Sequence, residues 1–195
     1  LISEQLVQKW TKYVQGGGHL ILSCRSGQKN KAGQFYEAPM GGPLQNLIGA
    51  NIEFSDMLVA PELGMVTMGN QKYSWTTWSE ILKPHKSTSV LAVYGNQFYK
   101  GHAAVITQKF GKGSVTYIGV VSNDGNLEKE IIRSVYTSAG VSIANLPNGV
   151  YMEWRNGFYV GVNYTQKQFK MPLTSKNKIL VGSQPLKQGQ AIVWK

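Results

Sequence analysis

The amino-acid sequence predicts an α/β fold followed by a small antiparallel β region. Three patterns in its 195 residues support this: a helix that runs through glycines into an apolar strand, a series of strands in the middle, and short strands alone after Pro147. We place a boundary between the two regions near residues 144–148. The tail of about 50 residues is close to the lower limit for an independent core, so we expect its stability to depend on the preceding region.

The first predicted element is a helix capped by Ser3 and ended by the glycines 16–18, which accept the left-handed conformation beyond a helix C-terminus. Four apolar residues at helical spacing form its predicted buried face: Leu6, Trp10, Tyr13 and Val14. The following run, His19–Cys24, lacks polar alternation, which is typical of a strand buried on both faces. Helix, glycine turn and buried strand together indicate half of a doubly wound α/β unit.

Residues 26–42 are polar and contain several glycines, and they predict a long loop of the kind that is often functional or interfacial. Pro43 can begin a short helix that Gly49 ends. Six strand patterns follow: Asn51–Met57, Met65–Met68, Lys72–Thr76, Ser89–Tyr94, Ala103–Phe110 and Ser114–Val121. The last two flank Gly111-Lys112-Gly113 and predict a hairpin.

A second helix is predicted over residues 125–139, capped by Asn123 or Asp124 and stopped by Gly140. Its apolar face consists of Leu127, Ile131, Val135 and Ala139. After Pro147 five short strands are predicted: Val150–Trp154, Phe158–Asn163, Gln168–Met171, Ile179–Val181 and Ala191–Trp194. Asn156-Gly157 predicts a type I′ turn between the first two of these, because both central residues of that turn have positive φ.

The chain is strongly basic, with 20 Lys and Arg against 10 Asp and Glu and a formal net charge of +10. This balance leaves a nucleic-acid-binding domain open as a hypothesis. The distribution favours an ordinary solvated surface instead, because the lysines of the tail are single residues between apolar positions. The one cysteine, Cys24, excludes an intrachain disulfide and is compatible with a reducing compartment.

The residues that could carry chemistry form no recognisable site. Cys24 could be a nucleophile, but His19 lies at the other end of the same strand, roughly 15 Å away, so a buried structural cysteine is favoured. The three histidines are isolated, and the ten acidic residues form no pair of the kind that glycoside hydrolysis needs. Trp75 and Trp78 could stack on sugars or bases, although packing in a core or an interface is the favoured interpretation.

Five short motifs occur in a specific order along the chain. They are GGGHLILSCRSG at 16–27, EAPMGGPL at 37–44, FGKGSVTYIG at 110–119, LPNGV at 146–150 and NYT at 163–165. Together they resemble the region that follows the catalytic barrel in family 42 glycoside hydrolases, the barrel-type β-galactosidases. Each motif is weak alone, but their order is specific and the resemblance covers essentially the whole chain.

The resemblance implies that residues 1–143 form a trimerisation domain with a flavodoxin-like fold, similar to class I glutamine amidotransferases, and that residues 146–195 form a small antiparallel β domain. The family's two catalytic glutamates lie in the barrel, and 195 residues are too few for a barrel of about 250. The resemblance therefore implies no catalytic residue, metal or cofactor in this chain. Because the family domain has an earlier strand–helix–strand segment, we expect a truncation before Leu1 that exposes sheet edges.

The resemblance also implies a scaffolding function. The chain would be the assembly region of an enzyme that hydrolyses terminal β-D-galactosides as a homotrimer, with the galactoside bound by the enzyme's own barrel, which this sequence lacks. Arg25 and Glu37 have opposite charges at the ends of the loop and could pair to close it. The interface candidates are Arg25, Glu37, Pro39, Met40, Pro43 and Leu44.

Two other hypotheses stay open. A carbohydrate-binding module is suggested by four tryptophans in β-rich regions: Trp75, Trp78, Trp154 and Trp194. A basic nucleic-acid-binding domain is suggested by the net charge alone. We expect no nucleic-acid partner, since the basic residues form no dense cluster. We also expect no membrane partner, since no apolar run approaches the roughly 20 residues of a membrane span. The resemblance implies a cytoplasmic location; a secreted or periplasmic one stays open, because a signal would precede Leu1.

Overall fold

The chain folds as two compact units, unit 1 over Leu1–Ser142 and unit 2 over Ile143–Lys195. The computed structural model describes residues 2–36 and 40–195. Within these ranges no helix is both long and apolar enough to cross a membrane.

Helix α1 spans Glu4–Gln15, and both of its predicted ends are confirmed. The side chain of Ser3 accepts a hydrogen bond from a backbone N–H of the first turn at 3.3 Å, and Gly17 follows the helix with φ of 114°. The residues of α1 that pack into the core are Val7, Trp10 and Val14. The prediction that Tyr13 shares this face is wrong, because its exposed ring lies over Gly18, where any side chain would overlap it.

Unit 1 is built on an eight-stranded sheet. Its strands are β1 (His19–Ser23), β2 (Ala50–Asp56), β3 (Gly64–Met68), β4 (Gln71–Pro84), β5 (Ser89–Tyr94), β6 (Ala103–Phe110), β7 (Gly113–Ile118) and β8 (Val120–Ser122). Their order is β1-β7-β6-β5-β3-β4-β2, with β8 paired to β4. The β1–β7 pairing is parallel, and the other pairings among the described strands of unit 1 are antiparallel.

Strand β1 was expected to be buried on both faces. It lies at one end of the strand order, and within the described ranges its strand partner is β7. Leu22 is buried in this strand, whereas Leu20 and Ile21 are half-buried. The expectation is therefore wrong for the described part of the chain, because an edge strand receives cover from fewer neighbours.

Strand β4 is longer than its predicted core of Lys72–Thr76 and covers 14 residues. It pairs antiparallel with β2, β3, β6 and β8 along different parts of its length. Because these neighbours supply backbone hydrogen bonds beyond Thr76, the polar residues there do not end the strand. The extension places Trp75, Trp78 and Glu80 on one strand.

The hairpin predicted around Gly111-Lys112-Gly113 is confirmed, since β6 and β7 pair antiparallel up to Phe110 and Gly113. The predicted strand Ser114–Val121 is instead divided between β7 and β8 at Gly119. The N–H of Gly119 donates to Ala104 at 2.8 Å, and its carbonyl accepts from the N–H of Glu80 at 2.6 Å. This interruption fixes the backbone of Glu80 beneath the end of β7.

The short helix predicted after Pro43 is confirmed. A 3-10 turn over Gly42–Leu44 leads into α2 (Gln45–Ile48), and Gly49 ends it with φ of 74°. Helix α3 spans Asn126–Ser138, close to its predicted range.

The predicted cap of α3 on Asn123 or Asp124 is wrong, because the capping position is Gly125 with φ of 70°. The carboxylate of Asp124 still assists, accepting a hydrogen bond from the N–H of Asn126 at 3.0 Å. The buried residues of α3 are Leu127 and Ile131. Ala139 is exposed, since it lies beyond the last helical residue.

Unit 2 is a four-stranded antiparallel sheet in the order β11-β12-β10-β9. Its strands are β9 (Val150–Arg155), β10 (Phe158–Asn163), β11 (Ile179–Val181) and β12 (Gln190–Trp194). Positive φ at Asn156 (47°) and Gly157 (89°) confirms the predicted turn between β9 and β10. The predicted strand Gln168–Met171 is wrong, because that segment forms a single bridge between Phe169 and Leu186.

Candidate functional site

The strongest cluster of polar groups in unit 1 surrounds the carboxyl group of Glu80, which has no exposed surface. Three elements meet there: the end of β1, the middle of β4 and the end of β7. Immediately after β1 the chain turns at Arg25, whose φ of 67° is unusual for a residue with a side chain. Loop 26–42 therefore starts directly beside the buried carboxyl group.

The carboxyl group of Glu80 accepts four hydrogen bonds. Its Oε1 accepts from the backbone N–H of Arg25 at 2.8 Å, the amide of Gln28 at 3.1 Å and the indole N–H of Trp78 at 3.3 Å. Its Oε2 accepts from the hydroxyl of Tyr117 at 2.6 Å. These contacts connect the start of the loop to strands β4 and β7.

Burial raises the pKa of the Glu80 carboxyl above its usual range, while the hydrogen bonds from Tyr117 and Arg25 oppose this shift. A buried carboxyl with a raised pKa can mark an active site. Here the four donors occupy both oxygens and no surface is open to a substrate. The arrangement therefore holds the start of the loop against strands β4 and β7.

Cys24 is buried next to this cluster. Burial and, second, the charge of Glu80 raise the pKa of the Cys24 thiol to about 12, so the nucleophilic thiolate is negligible at neutral pH. His19 makes its contact at the opposite end of β1, with Ser114 Oγ at 2.8 Å. The structure thus places Cys24 as a packed, unactivated thiol.

The other two histidines lie away from Cys24. His85 contacts Asn51 Oδ1 at 3.2 Å, and His102 lies 3.9 Å from the carboxylate of Glu53. Over residues 2–36 and 40–195, no group of three His, Cys, Asp or Glu side chains has the proximity needed to hold a metal ion.

Arg25 is the interface candidate with the clearest surface position. Its guanidinium lies 4.9 Å from the ring centre of Trp78, whose indole N–H is bound to Glu80. The exposed guanidinium of Arg25 therefore packs on the indole of Trp78, whose N–H donates to the buried carboxyl of Glu80. The predicted partner Glu37, and the candidate Pro39, lie outside the described residues.

The remaining candidates belong to the far end of the loop. Met40 and Pro43 are half-buried, and Met40 packs against the core. Leu44 is fully buried and is part of that core, so it offers no surface to a partner. The two ends of the loop approach closely, since a Cβ on Gly27 would lie 2.7 Å from both the carbonyl oxygen of Gly41 and a methyl of Leu44.

The sequence reasoning missed Glu80 as the centre of this cluster. Three of its partners, Tyr117, Gln28 and Arg25, lie 37, 52 and 55 residues from Glu80 in the sequence, so no local pattern joins them. The one available signal is an acidic residue before the apolar pair Ile81-Leu82 in a strand-rich region. An acidic residue within an apolar strand is expected to have hydrogen-bond partners.

The tryptophans proposed for sugar stacking differ in exposure. Trp75 is buried with Tyr94 edge-on at 6.1 Å, and Trp194 is buried against Tyr159 at 5.4 Å. Trp78 is half-buried beneath Arg25. Trp154, at 61% exposure, is the one of the four with a largely free surface.

Comparison with known proteins gives a consistent result. Residues 1–143 match the sequence profile of the family described as "Beta-galactosidase trimerisation domain". The chain is 27% identical over 183 residues to a β-galactosidase of Haloferax lucentense, and 28% identical over 184 residues to one of Halorubrum lacusprofundi. These matches cover 93% and 88% of this chain but 27% and 26% of the relatives, so the chain spans about a quarter of their length.

Solved structures agree. A polyextremophilic β-galactosidase from Halorubrum lacusprofundi superposes with a TM-score of 0.88 at 26% identity, covering 99% of this chain and 29% of that one. A β-galactosidase from Bacillus circulans sp. alkalophilus has the same fold, with a TM-score of 0.85 at 19% identity over 97% of this chain and 30% of the other. The resemblance inferred from the five motifs is thereby confirmed.

Proposed function

The chain belongs to the β-galactosidase trimerisation domain family through residues 1–143, and we propose that it is the non-catalytic assembly region of an enzyme that hydrolyses terminal β-D-galactosides. The family match carries this proposal. The chemistry of unit 1 supports it, because its buried carboxyl, Glu80, is fully hydrogen-bonded and its thiol, Cys24, has a pKa of about 12. Such groups stabilise a scaffold and do not turn over a substrate.

In this proposal the full-length enzyme is a homotrimer. The remaining three quarters of the relatives' length would hold the catalytic barrel, which binds the galactoside. The rigid packing of three subunits would then shape the active site. Unit 1 would correspond to a flavodoxin-like domain whose parallel part is the β1–β7 pair, and unit 2 to the small β domain.

The surface proposed to take part in assembly is the rim of loop 26–42. Arg25, Met40 and Pro43 are retained as contact residues, together with Glu37 and Pro39. The Glu80 cluster would serve this surface by holding Arg25 and Trp78 in one geometry, which reduces the entropy lost on association.

The same proposal includes a cytoplasmic location and no nucleic-acid or membrane partner. The single cysteine is compatible with a reducing compartment. The lysines of residues 145–195 are spread singly along the tail, which is typical of a solvated surface.

Light scattering and activity of the full-length protein test the proposal together. We expect a particle of three subunits that hydrolyses a nitrophenyl β-galactoside, with activity falling on dilution as the trimer dissociates. A strictly monomeric enzyme with normal activity would refute the assembly role. An assembled protein without any activity on galactosides would refute the assigned enzyme.

A second candidate function, carbohydrate binding, is favoured by one surface of unit 2. A shallow groove there is lined by Tyr151, Glu153, Arg155, Val160, Val162 and Tyr164. The rings of Tyr151 and Tyr164 lie 5.9 Å apart, beside the 3.1 Å ion pair of Glu153 and Arg155. Calorimetric titration with galactosides and galactan, against a Tyr151→Ala control, decides this candidate; no heat at millimolar ligand removes it.

A further inference from the structure

Unit 1 carries a cluster of exposed apolar side chains on two neighbouring loops, which we call the Phe98 patch. Its members and their exposed fractions are Met57 (61%), Val59 (77%), Leu63 (53%) and Phe98 (83%). Three of them lie between β2 and β3, and Phe98 lies between β5 and β6. Large apolar residues at such exposure, grouped together, are typical of an interaction surface.

The two loops of the Phe98 patch are tied together by Asn96. Its side-chain oxygen accepts from the N–H of Met65 at 2.8 Å, and its amide donates to the carbonyl of Leu63 at 2.7 Å. The N–H of Leu58 also donates to the carbonyl of Thr76 on β4 at 3.0 Å. These bonds hold the apolar tips in place in the free chain.

The ring of Phe98 is supported from within the chain. It stacks on Phe54 with centres 5.6 Å apart and planes 8° from parallel, and Tyr99 meets it edge-on at 4.8 Å. The hydroxyl of Tyr99 donates to Asp56 Oδ2 at 2.6 Å. A partner that covers the outer face of Phe98 therefore loses little side-chain entropy, which is a property of interface hot spots.

The chemistry of the Phe98 patch indicates whether a sugar or a protein surface suits it better. Two polar side chains beside it, Asp56 and Asn96, are already hydrogen-bonded inside the chain. A sugar needs polar partners as well as an aromatic face, so the patch suits an apolar protein surface better. Glu62 and Lys100 are exposed charged residues of the same two loops, and a polar rim around an apolar centre is typical of a protein interface.

The size of the patch fits the centre of a subunit contact. Its four side chains leave on the order of 400 Å² of apolar surface exposed, about half of the ~800 Å² that each partner buries in a standard interface. The patch lies within residues 1–143, the part that matches the trimerisation family. A second copy of the chain is thus the occupant that both its size and the family favour.

We propose that the Phe98 patch packs against a neighbouring copy of this chain in the trimer. This inference rests on the proposed assembly function. It is distinct from the role given to loop 26–42, because the patch is formed by residues 57–63 and 98.

The test compares the full-length protein with its Val59→Ser/Phe98→Ser variant, by light scattering and sedimentation over a dilution series. We expect the concentration at which the trimer dissociates to rise at least 30-fold, since exposed aromatic anchors dominate such contacts. Val90→Ser is the matched control, because Val90 is an exposed apolar residue on β5 outside the patch, and it should leave dissociation unchanged. Circular dichroism melts verify that each variant folds.

Oxidation of Met57 by hydrogen peroxide gives a second readout, which compares the trimer with the dissociated variant. In the trimer we expect Met57 to be oxidised at least tenfold more slowly than in the dissociated variant. A wild type that is not trimeric refutes the proposed function itself. A trimer that both serines leave intact, or equal protection of Met57 in the trimer and in the dissociated variant, overturns the patch contact alone.

Discussion

Replacing Tyr117 by phenylalanine removes one hydrogen bond to the buried carboxyl of Glu80 and little else. The hydroxyl lies 2.6 Å from Glu80 Oε2, and both side chains are buried. A hydrogen bond to a charged group contributes about 1.5–3 kcal/mol, and an unsatisfied buried acceptor carries a similar cost. Because the ring is retained, no large cavity forms, and we expect Tyr117→Phe to lower the free energy of unfolding of unit 1 by about 2 kcal/mol at pH 8.

The pH dependence of this loss follows from the raised pKa of Glu80. A carboxyl whose folded pKa lies above its ordinary value near 4.5 binds its proton more tightly in the folded chain. Its contribution to the free energy of unfolding is therefore greatest at low pH and declines as pH rises from about 4.5 through the raised pKa. At pH 4, where Glu80 is protonated, Tyr117→Phe should cost only about 1 kcal/mol, the value of a neutral hydrogen bond.

Hydrogen exchange in a urea series measures this effect, because amides of β4 and β7 report on unit 1 apart from unit 2. Tyr13→Phe is the matched control, since this exposed tyrosine should change stability by less than about 0.5 kcal/mol. Glu80→Gln keeps an acceptor facing the three donors on Oε1 but cannot ionise, so the decline with pH should disappear. A loss of equal size at pH 4 and pH 8, or a decline that persists in Glu80→Gln, would refute the role given to Glu80.

Three further predictions concern other buried groups. Asn163→Asp should destabilise unit 2 by about 3 kcal/mol or more at neutral pH, because a carboxylate would face two carbonyl oxygens that now lie 2.8 and 2.9 Å from the side-chain amide nitrogen. The loss of hydrogen-exchange protection in β10 measures this destabilisation. Cys24 should react with iodoacetamide at pH 8 at least 100-fold more slowly in the folded than in the urea-unfolded chain, and rapid labelling of the folded chain contradicts its pKa of about 12. Gly64→Ala should lower the free energy of unfolding by about 1–3 kcal/mol, because the added methyl would overlap the indole of Trp75. In a double-mutant cycle, Trp75→Phe in the same chain should recover part of this loss; strictly additive losses would exclude the overlap.

Local features of the fold could be predicted from the sequence, because their causes lie within a few residues. The Ser3 cap, the glycine after α1 and the Asn156-Gly157 turn depend on short-range hydrogen bonds and on positive φ. The extent of β4 could not be predicted, since it depends on pairing with four strands. Strand propensity is low at Glu80 within this stretch, and the distant strand partners override it.

The candidate site was predictable only in part, for the same reason. Arg25 stands out for its charge at the start of the loop; the structure places it at an exposed position, and its role as a contact residue stays a prediction. The Phe98 patch left no signal in the sequence, because the contacts that bring its two loops together, such as Asn96 with Leu63, join residues 33 positions apart. Exposed apolar residues in loops look ordinary in a sequence until the fold shows that they are neighbours.

In the proposed trimer, the Glu80 cluster and Asn96 would meet the same physical requirement in two places. A subunit contact built on flexible loops would lose side-chain and backbone entropy each time it formed. The buried carboxyl reduces this loss at the start of loop 26–42, because Arg25, Gln28 and Trp78 bind one fixed group. Asn96 has the corresponding role between the loops of the patch. Both polar groups are hydrogen-bonded within the chain, which suits the positioning role proposed for them in an assembly region.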